Sequence, residues 1–239
     1  MDKREHVIPD AAPSLEEIST RWPLIRDPVQ FVMRYAPAIR KYLEAMLKNT
    51  HDAEDVTQDF LIRGLLLSFV RTENLRGQFR HYLKRAVRNA ALNHLQRKPS
   101  REASSIDPVS LPDLHDAETA AEQQWLAEWR GCLIDRALQA LDHHERQVPA
   151  NLFHTAMRLV LDHPEEDSVA LATRATALIG RSIRADAFRK QLSRARRRFA
   201  ELLQEEVHLT LEQPTQDRVL EELAELGLLS YVRDFLPCA

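Results

Sequence analysis

The run Asp52–Phe60, DAEDVTQDF, followed downstream by Arg76–Lys98, RGQFRHYLKRAVRNAALNHLQRK, decides how this chain is read. An α-helix brings residues three and four apart onto one face, so apolar residues at those steps mark the side that is buried. Between Asp52 and Val70, the residues Ala53, Val56, Phe60, Gly64 and Leu67 form one such stripe, and Gly64 would let a neighbouring element approach closely. Asp55, Gln58 and Asp59 fall on a face away from it, with Asp52 opening the helix. Two readings fit these polar residues: acidic groups placed near the positive end of a helix dipole, or a contact face turned toward a partner.

The second run carries no acidic residue. Its spacing predicts a helix from Arg76 to Arg97 that buries Phe79, Leu83, Ala86 and Ala90 and leaves Arg80, Lys84 and Arg88 aligned outside. Unpaired nucleic acid needs cations for its phosphates and flat or amide-bearing side chains for its bases. The segment supplies both, with Phe79, His81, Tyr82, Asn89 and Asn93 among the arginines and lysines. A basic helix face can also be merely solvated; the complete lack of carboxylates favours nucleic acid.

Working outward, Pro28 to Lys48 completes a group of three helices, and the Pro-containing stretch up to Asp27 reads as a loosely docked arm. The segment Lys98–Thr119, KPSREASSIDPVSLPDLHDAET, contains Pro99, Pro108 and Pro112 among serines and aspartates and is predicted to be a linker. Beyond it, Gln123 to Leu141 and Asn151 to His163 are predicted helices, and Ser168 to Glu206 reads as two helices broken at Gly180. Phe188, Leu192, Ala195, Phe199 and Leu202 give the last helix a core face, while Arg189, Lys190, Arg194, Arg196, Arg197 and Arg198 load its other sides. A short helix, a glycine turn and an arginine-rich second helix are the parts of a helix-turn-helix reader of duplex DNA. Membrane binding fits less well, because Phe188, Leu192 and Phe199 are needed for the core.

Composition sets the limits. With 5 glycines in 239 residues, 44% hydrophobic and 29% charged side chains, the fold class expected is all-α, in two small helical domains. The expected divisions are an arm over 1–27, a first helical domain over 28–98, a linker over 99–120, a helix-turn-helix domain over 121–208 and a C-terminal helical extension over 209–239. The net charge of −3 hides an uneven distribution, since an acidic tail offsets local basic surfaces. No apolar run is long enough to cross a bilayer and the start does not read as a secretory signal, so a soluble cytoplasmic protein without membrane association is expected. Cys132 and Cys238 stand far apart with no CxxC, and His143 and His144 fall on different helix faces, so neither a disulfide framework nor a metal is expected. No nucleophile elbow, phosphate loop or HExxH motif occurs; no catalytic residue and no cofactor are expected.

Taken in order, DAEDVTQDF, the aromatic and basic helix ending in N-x-x-x-x-H-x-x-R, the Pro/Ser/Asp linker and the C-terminal SRARRRFAELL resemble regions two and four of bacterial RNA polymerase sigma factors of the extracytoplasmic-function type, over most of Pro28 to Val207. The resemblance implies that the first domain docks on the beta-prime clamp helices of core RNA polymerase through Asp52, Asp55, Gln58 and Asp59. It implies that the basic helix and its preceding loop melt and read the minus-ten element of promoter DNA through Asn74, Arg76, Arg80, Lys84, Arg88, Asn89, Asn93 and Arg97. The linker would thread toward the RNA exit path, and Arg184, Arg189, Lys190, Ser193, Arg194 and Arg197 would meet the minus-thirty-five element as duplex. An anti-sigma factor or another regulator is a further partner the family allows. The sequence departs from the pattern at HHERQVPA between Asp142 and Asn151, at a longer GRSIRAD turn, and in a C-terminal extension. There Val219, Leu223, Leu226, Leu229 and Val232 form an apolar face, for packing on the basic domain or for a partner. The readings from other classes are a helix-turn-helix regulator that works without polymerase, its first helices dimerising or binding a signal, and a helical adaptor with no DNA role.

Overall fold

The computed structural model describes residues 28–67, 78–97, 111–148, 150–211 and 214–235. They form helices α1 (Pro28–Leu47), α2 (Thr50–Leu67), α3 (Phe79–Arg97), α4 (Leu111–Gln147), α5 (Phe153–Asp162), α6 (Ser168–Ile179), α7 (Ala185–His208), α8 (Gln216–Glu225) and α9 (Leu229–Val232), with a 3₁₀ turn at Arg233–Phe235. No β-strand element occurs among the described residues, and the all-α expectation is met. The chain divides into two compact units, Met1–Trp125 and Leu126–Ala239. The expected arm over 1–27 lies outside the described residues.

In the first unit α1 buries Phe31, Tyr35, Ala38, Ile39, Tyr42, Leu43 and Met46, a stripe at three- and four-residue steps. The rings of Phe31, Tyr35 and Phe79 pack in a cluster, with Tyr35 and Phe79 5.4 Å apart and tilted by 59°, and Phe31 edge-on to Phe79 at 6.2 Å. Ala53 and Val56 of α2 are buried as the spacing predicts, and Phe60 is half-buried. The buried face of α3 is rotated from the expected one. Phe79, Arg80, Leu83, Val87 and Ala91 point inward, whereas Ala86 and Ala90 are only half-buried. Steps of four from Phe79 reach Val87 and Ala91, and burying Val87 in place of Ala86 removes more apolar surface from water. Arg80, expected outside, lies at the edge of this face and is 6% exposed; its guanidinium donates to Gln78 Oε1 at 3.2 Å.

The linker expectation is corrected at its far end. Residues 98–110 are outside the described residues, but Leu111–Thr119 are the start of α4. Pro112 is compatible with this because it sits in the first turn, where a backbone N–H has no intrahelical partner to lose. Ala117, Ala121 and Trp125, at steps of four, are buried in the first unit, and the Trp125 ring meets Tyr42 edge-on at 5.8 Å and 83°. The other end of α4 also runs further than predicted. HHERQ, which lies past the predicted helix end at Leu141, is helical through Gln147, supported by an Asp142–Arg146 pair at 2.6 Å and a His143–Gln147 hydrogen bond at 2.8 Å, both one turn apart.

In the second unit Ala156 and Leu159 of α5, Leu171, Ala172 and Ala175 of α6 and Phe188 of α7 form one core, with Val160, Ile183, Ala185 and Leu192 packed against it. Trp129, Leu133, Ala137 and Leu141 of α4 are buried in this unit too. Of the apolar face predicted for the C-terminal extension, Val219, Leu223, Leu226 and Val232 are buried; Leu229 is only half-buried, with Leu228 buried in its place, and Tyr231 meets Phe199 of α7 edge-on at 6.3 Å. Thr215 caps α8, its hydroxyl accepting from the Arg218 amide at 3.3 Å.

Because Trp125 is 1% exposed and belongs to the first unit's core, Trp125→Ala should remove about 3–5 kcal/mol of that unit's stability. Guanidinium unfolding followed by circular dichroism checks this; a loss under about 1 kcal/mol would mean that the segment is not part of that core.

Candidate nucleic-acid interface

Two surfaces of the first unit collect the residues singled out by sequence. On α2, Asn49 Oδ1 accepts from the Asp52 amide at 3.1 Å and so caps the helix start. Asp55, Gln58 and Asp59 are exposed on one side, as their spacing predicts. Asp59 pairs with Arg63 one turn on at 2.8 Å, and Asp55 lies 3.9 Å from His51. Asp52 is separated from them. Its carboxylate is turned toward α3, where Oδ1 lies 3.6 Å from His94 Nε2.

Of the residues expected on the basic helix, Asn74 and Arg76 lie outside the described residues, and Arg80 is buried. Lys84 and Arg88 do share a face, but it is covered: Lys84 Nζ donates to Glu122 Oε1 at 2.8 Å and Arg88 to Glu118 Oε1 at 2.5 Å. Both carboxylates come from the early turns of α4, Glu118 within the segment read above as linker and Glu122 just past it. The face left exposed is His81, Arg85, Asn89 and Asn93, at four-residue steps, with Gln96 and Arg97 at its end. Asn89, Asn93 and Arg97 belong to the expected set. Arg85 was missed, although the step from His81 through Asn89 to Asn93 was there to be read.

Burial raises the pKa of two tyrosine hydroxyls here. Tyr42 is pushed up to about 12, first by burial, with Arg88 opposing and Glu118 and Glu122 adding to the rise. Tyr82 is pushed up to about 12 by burial.

In the second unit α6 and α7 are joined by a short turn whose geometry is tightly set. The Asp167 carboxylate caps α6, accepting from the amides of Val169 at 2.9 Å and Ala170 at 2.8 Å. Gly180 ends that helix at φ 68°, a left-handed conformation that a side chain would strain, and the Thr176 hydroxyl accepts from the Ile183 amide at 2.9 Å. Arg184, just before α7, forks onto Asp186 at 2.9 and 2.7 Å and holds that carboxyl down at about 2.

The arginine-rich face of α7 splits in two. Arg189 donates to Ser168 Oγ at 2.9 Å. Together with Ser193 and Arg196 it lines a groove of ≈ 580 Å³ whose far side is Tyr231 and Asp234 of the extension. Lys190, Arg194 and Arg197 fall at four- and three-residue steps on a different, exposed side. Arg189 and Lys190, expected to act together, therefore face different surroundings. No group of three metal-binding side chains is found among the described residues, and no helix among them is long and apolar enough to cross a membrane.

An all-helical protein with an acidic-polar face, a basic helix behind it and a separate glycine-turn helix pair is the class that these sites define. Residues 31–101 match the family model for Sigma-70 region 2, so α1 from Phe31 onward, α2 and α3 fall in that domain. No curated protein and no solved structure matches the chain. The match supports a sigma-factor family over the residues that it covers.

The Tyr42 hydroxyl gives an alkaline test of this packing. Its folded pKa, about 12, lies above the usual value near 10, so its contribution is fully present below about pH 10. Above that, the unfolded chain ionises while the folded one stays protonated, and stability falls as pH rises toward 12, by on the order of 2–3 kcal/mol. Tyr42→Phe should flatten that decline in urea titrations between those limits; a curve parallel to the parent's would show that Tyr42 is not buried.

Proposed function

We propose that the chain is a sigma factor of the extracytoplasmic-function type, which binds core RNA polymerase and directs promoter-specific initiation. The observation that carries the reading is the Sigma-70 region 2 match over residues 31–101, joined to an exposed Asp55, Gln58 and Asp59 on the helix where core contact is expected. In this reading those three side chains meet the beta-prime clamp helices, and Asp52 supports them from within by its approach to His94. The α3 helix meets the minus-ten element, with Lys84, Arg88, Asn89, Asn93 and Arg97 as contacts together with Asn74 and Arg76. Arg80, being buried, is assigned a structural part.

The second unit is proposed to be the region-four reader of the minus-thirty-five element. Supporting this are the capped α6, the glycine turn and the exposed Lys190, Arg194 and Arg197 of α7, since a recognition helix reaches bases near its start and phosphates further along. Arg184, Arg189 and Ser193 flank that side. An anti-sigma factor and a cytoplasmic location accompany the proposal. The same helix pair would suit a regulator that binds duplex without polymerase, and the two readings part on whether core enzyme is required.

Asp55→Ala with Gln58→Ala is expected to weaken core polymerase binding by about tenfold or more while leaving the melting temperature unchanged, as truncation of exposed, central interface residues does. A fluorescence competition assay against labelled parent measures it, and equal competition would remove that face from the interface.

For the second unit, Lys190→Ala should cost about 1–3 kcal/mol of discrimination at the upstream element. Arg197→Ala should weaken all sequences alike and reduce the salt slope by about 1. Site selection from random duplexes with the polymerase complex at fixed salt checks both; identical selected sites for Lys190→Ala and parent would place sequence reading elsewhere.

A further inference from the structure

Helix α4 starts with acidic residues and turns two of them onto the basic helix. Ala117, Ala121 and Trp125 are its buried anchors in the first unit. Glu118 and Glu122 each follow an anchor by one residue, so the same packing that seats Trp125 against Tyr42 holds both carboxylates over α3. The pairs match in register and run in opposite senses: Lys84 with Glu122 at 2.8 Å, and Arg88 with Glu118 at 2.5 Å. Residues four apart on a helix are separated by about 6 Å along its axis. That is the order of the spacing of neighbouring phosphates on an extended single strand. Two carboxylates at this interval offer the two cations what a strand's backbone would offer them.

The pairs are open to exchange. Glu122 has 61% of its side chain exposed and Arg88 43%, so water and salt reach both and each pair is weak. The buried Tyr42 side chain lies beside Arg88, Glu118 and Glu122.

We propose that Lys84 and Arg88 form a phosphate-binding surface for single-stranded DNA, and that Glu118 and Glu122 occupy it in the free chain as an internal competitor which the strand must displace. This rests on the reading of α3 as a nucleic-acid helix and adds to it that a following segment of the same chain contests the site. Charge removal at the carboxylates then frees two cations without touching the buried anchors. Strand binding in the altered chain releases the counterions condensed on two phosphates, whereas in the parent the displaced carboxylates attract cations back and offset that release. Affinity should rise, and the dependence on salt should steepen.

The test uses the full chain and a fluorescein-labelled single-stranded oligonucleotide, with anisotropy read at several salt concentrations. Glu118→Gln with Glu122→Gln is expected to bind three- to thirty-fold more tightly than the parent at low salt. The log–log salt slope should steepen by up to about 1.4, for two phosphates at ~0.7 each. Lys84→Gln with Arg88→Gln should bind more weakly than the parent, and adding it to the glutamine pair should abolish the gain. Thermal melting of each variant confirms that the fold is kept. If the glutamine pair binds no more tightly than the parent, the proposal is overturned, and equally so if no chain binds. A third variant, Arg85→Gln with Asn89→Ala, separates the two levels. Should it weaken binding while the Lys84 and Arg88 variant does not, the nucleic-acid helix stands and the internal competitor falls. Should none of the variants change binding, the reading of α3 falls as well.

Discussion

The edge-on contact between Trp125 and Tyr42, 5.8 Å between ring centroids, is the constraint on which the first unit's surface depends. Both rings are 1% exposed, and large aromatic groups buried in this way dominate the energy of the elements that they join. Once Trp125 is seated, the helical period leaves Ala117 and Ala121 beneath it and places Glu118 and Glu122 one step around the helix, over the cations of α3. A hydrophobic contact thus selects which charges meet. The ion pairs follow from it and do not cause it, because partly exposed pairs of this kind contribute about 0–1 kcal/mol each.

The polar face of α2 has a different origin. Its helix is capped by Asn49 and buries Ala53 and Val56, which leaves Asp55, Gln58 and Asp59 in water. The i,i+4 partners of these acids, His51 and Arg63, lie along the same helix, and exposed pairs are easily exchanged for a partner's groups. Asp52, at the edge of the set, is held 3.6 Å from His94 and connects this face to the basic helix behind it.

In the second unit, the extension changes what α7 can present. Phe199 and Tyr231 fix α9 to the helix, and the groove between them takes in Arg189, Ser193 and Arg196. Lys190, Arg194 and Arg197 stand on the side that the extension leaves open. An arginine-rich helix therefore carries two unlike basic surfaces, one bordered by the carboxylate of Asp234 and one bordered by solvent. The hydrogen bond from Arg189 to Ser168 ties the first of these to the start of α6.

Helical periodicity by itself determined the all-α class, the break at Gly180, the exposed acids of α2 and most of the inward face of the extension. These are local properties: a repeat of three and four residues states which side is apolar, and a glycine in the left-handed region states where a helix ends. The motifs DAEDVTQDF and RGQFRHYLKRAVRNAALNHLQR also carried the sigma-factor resemblance, which the region 2 match over residues 31–101 supports. Tertiary packing alone decided the rest. The inward face of α3 turned on the choice between Val87 and Ala86, which only a neighbouring core can make, and Arg80 was drawn inside with it. Pro112 marked a break in sequence yet opens a helix, because proline in a first turn sacrifices no hydrogen bond. Lys84 and Arg88 lie in a segment without a single acid, and their carboxylate partners are 38 and 30 residues away along the chain, respectively. Sequence spacing reports neighbours within a helix, whereas a charge brought in by another helix is visible only once both have packed.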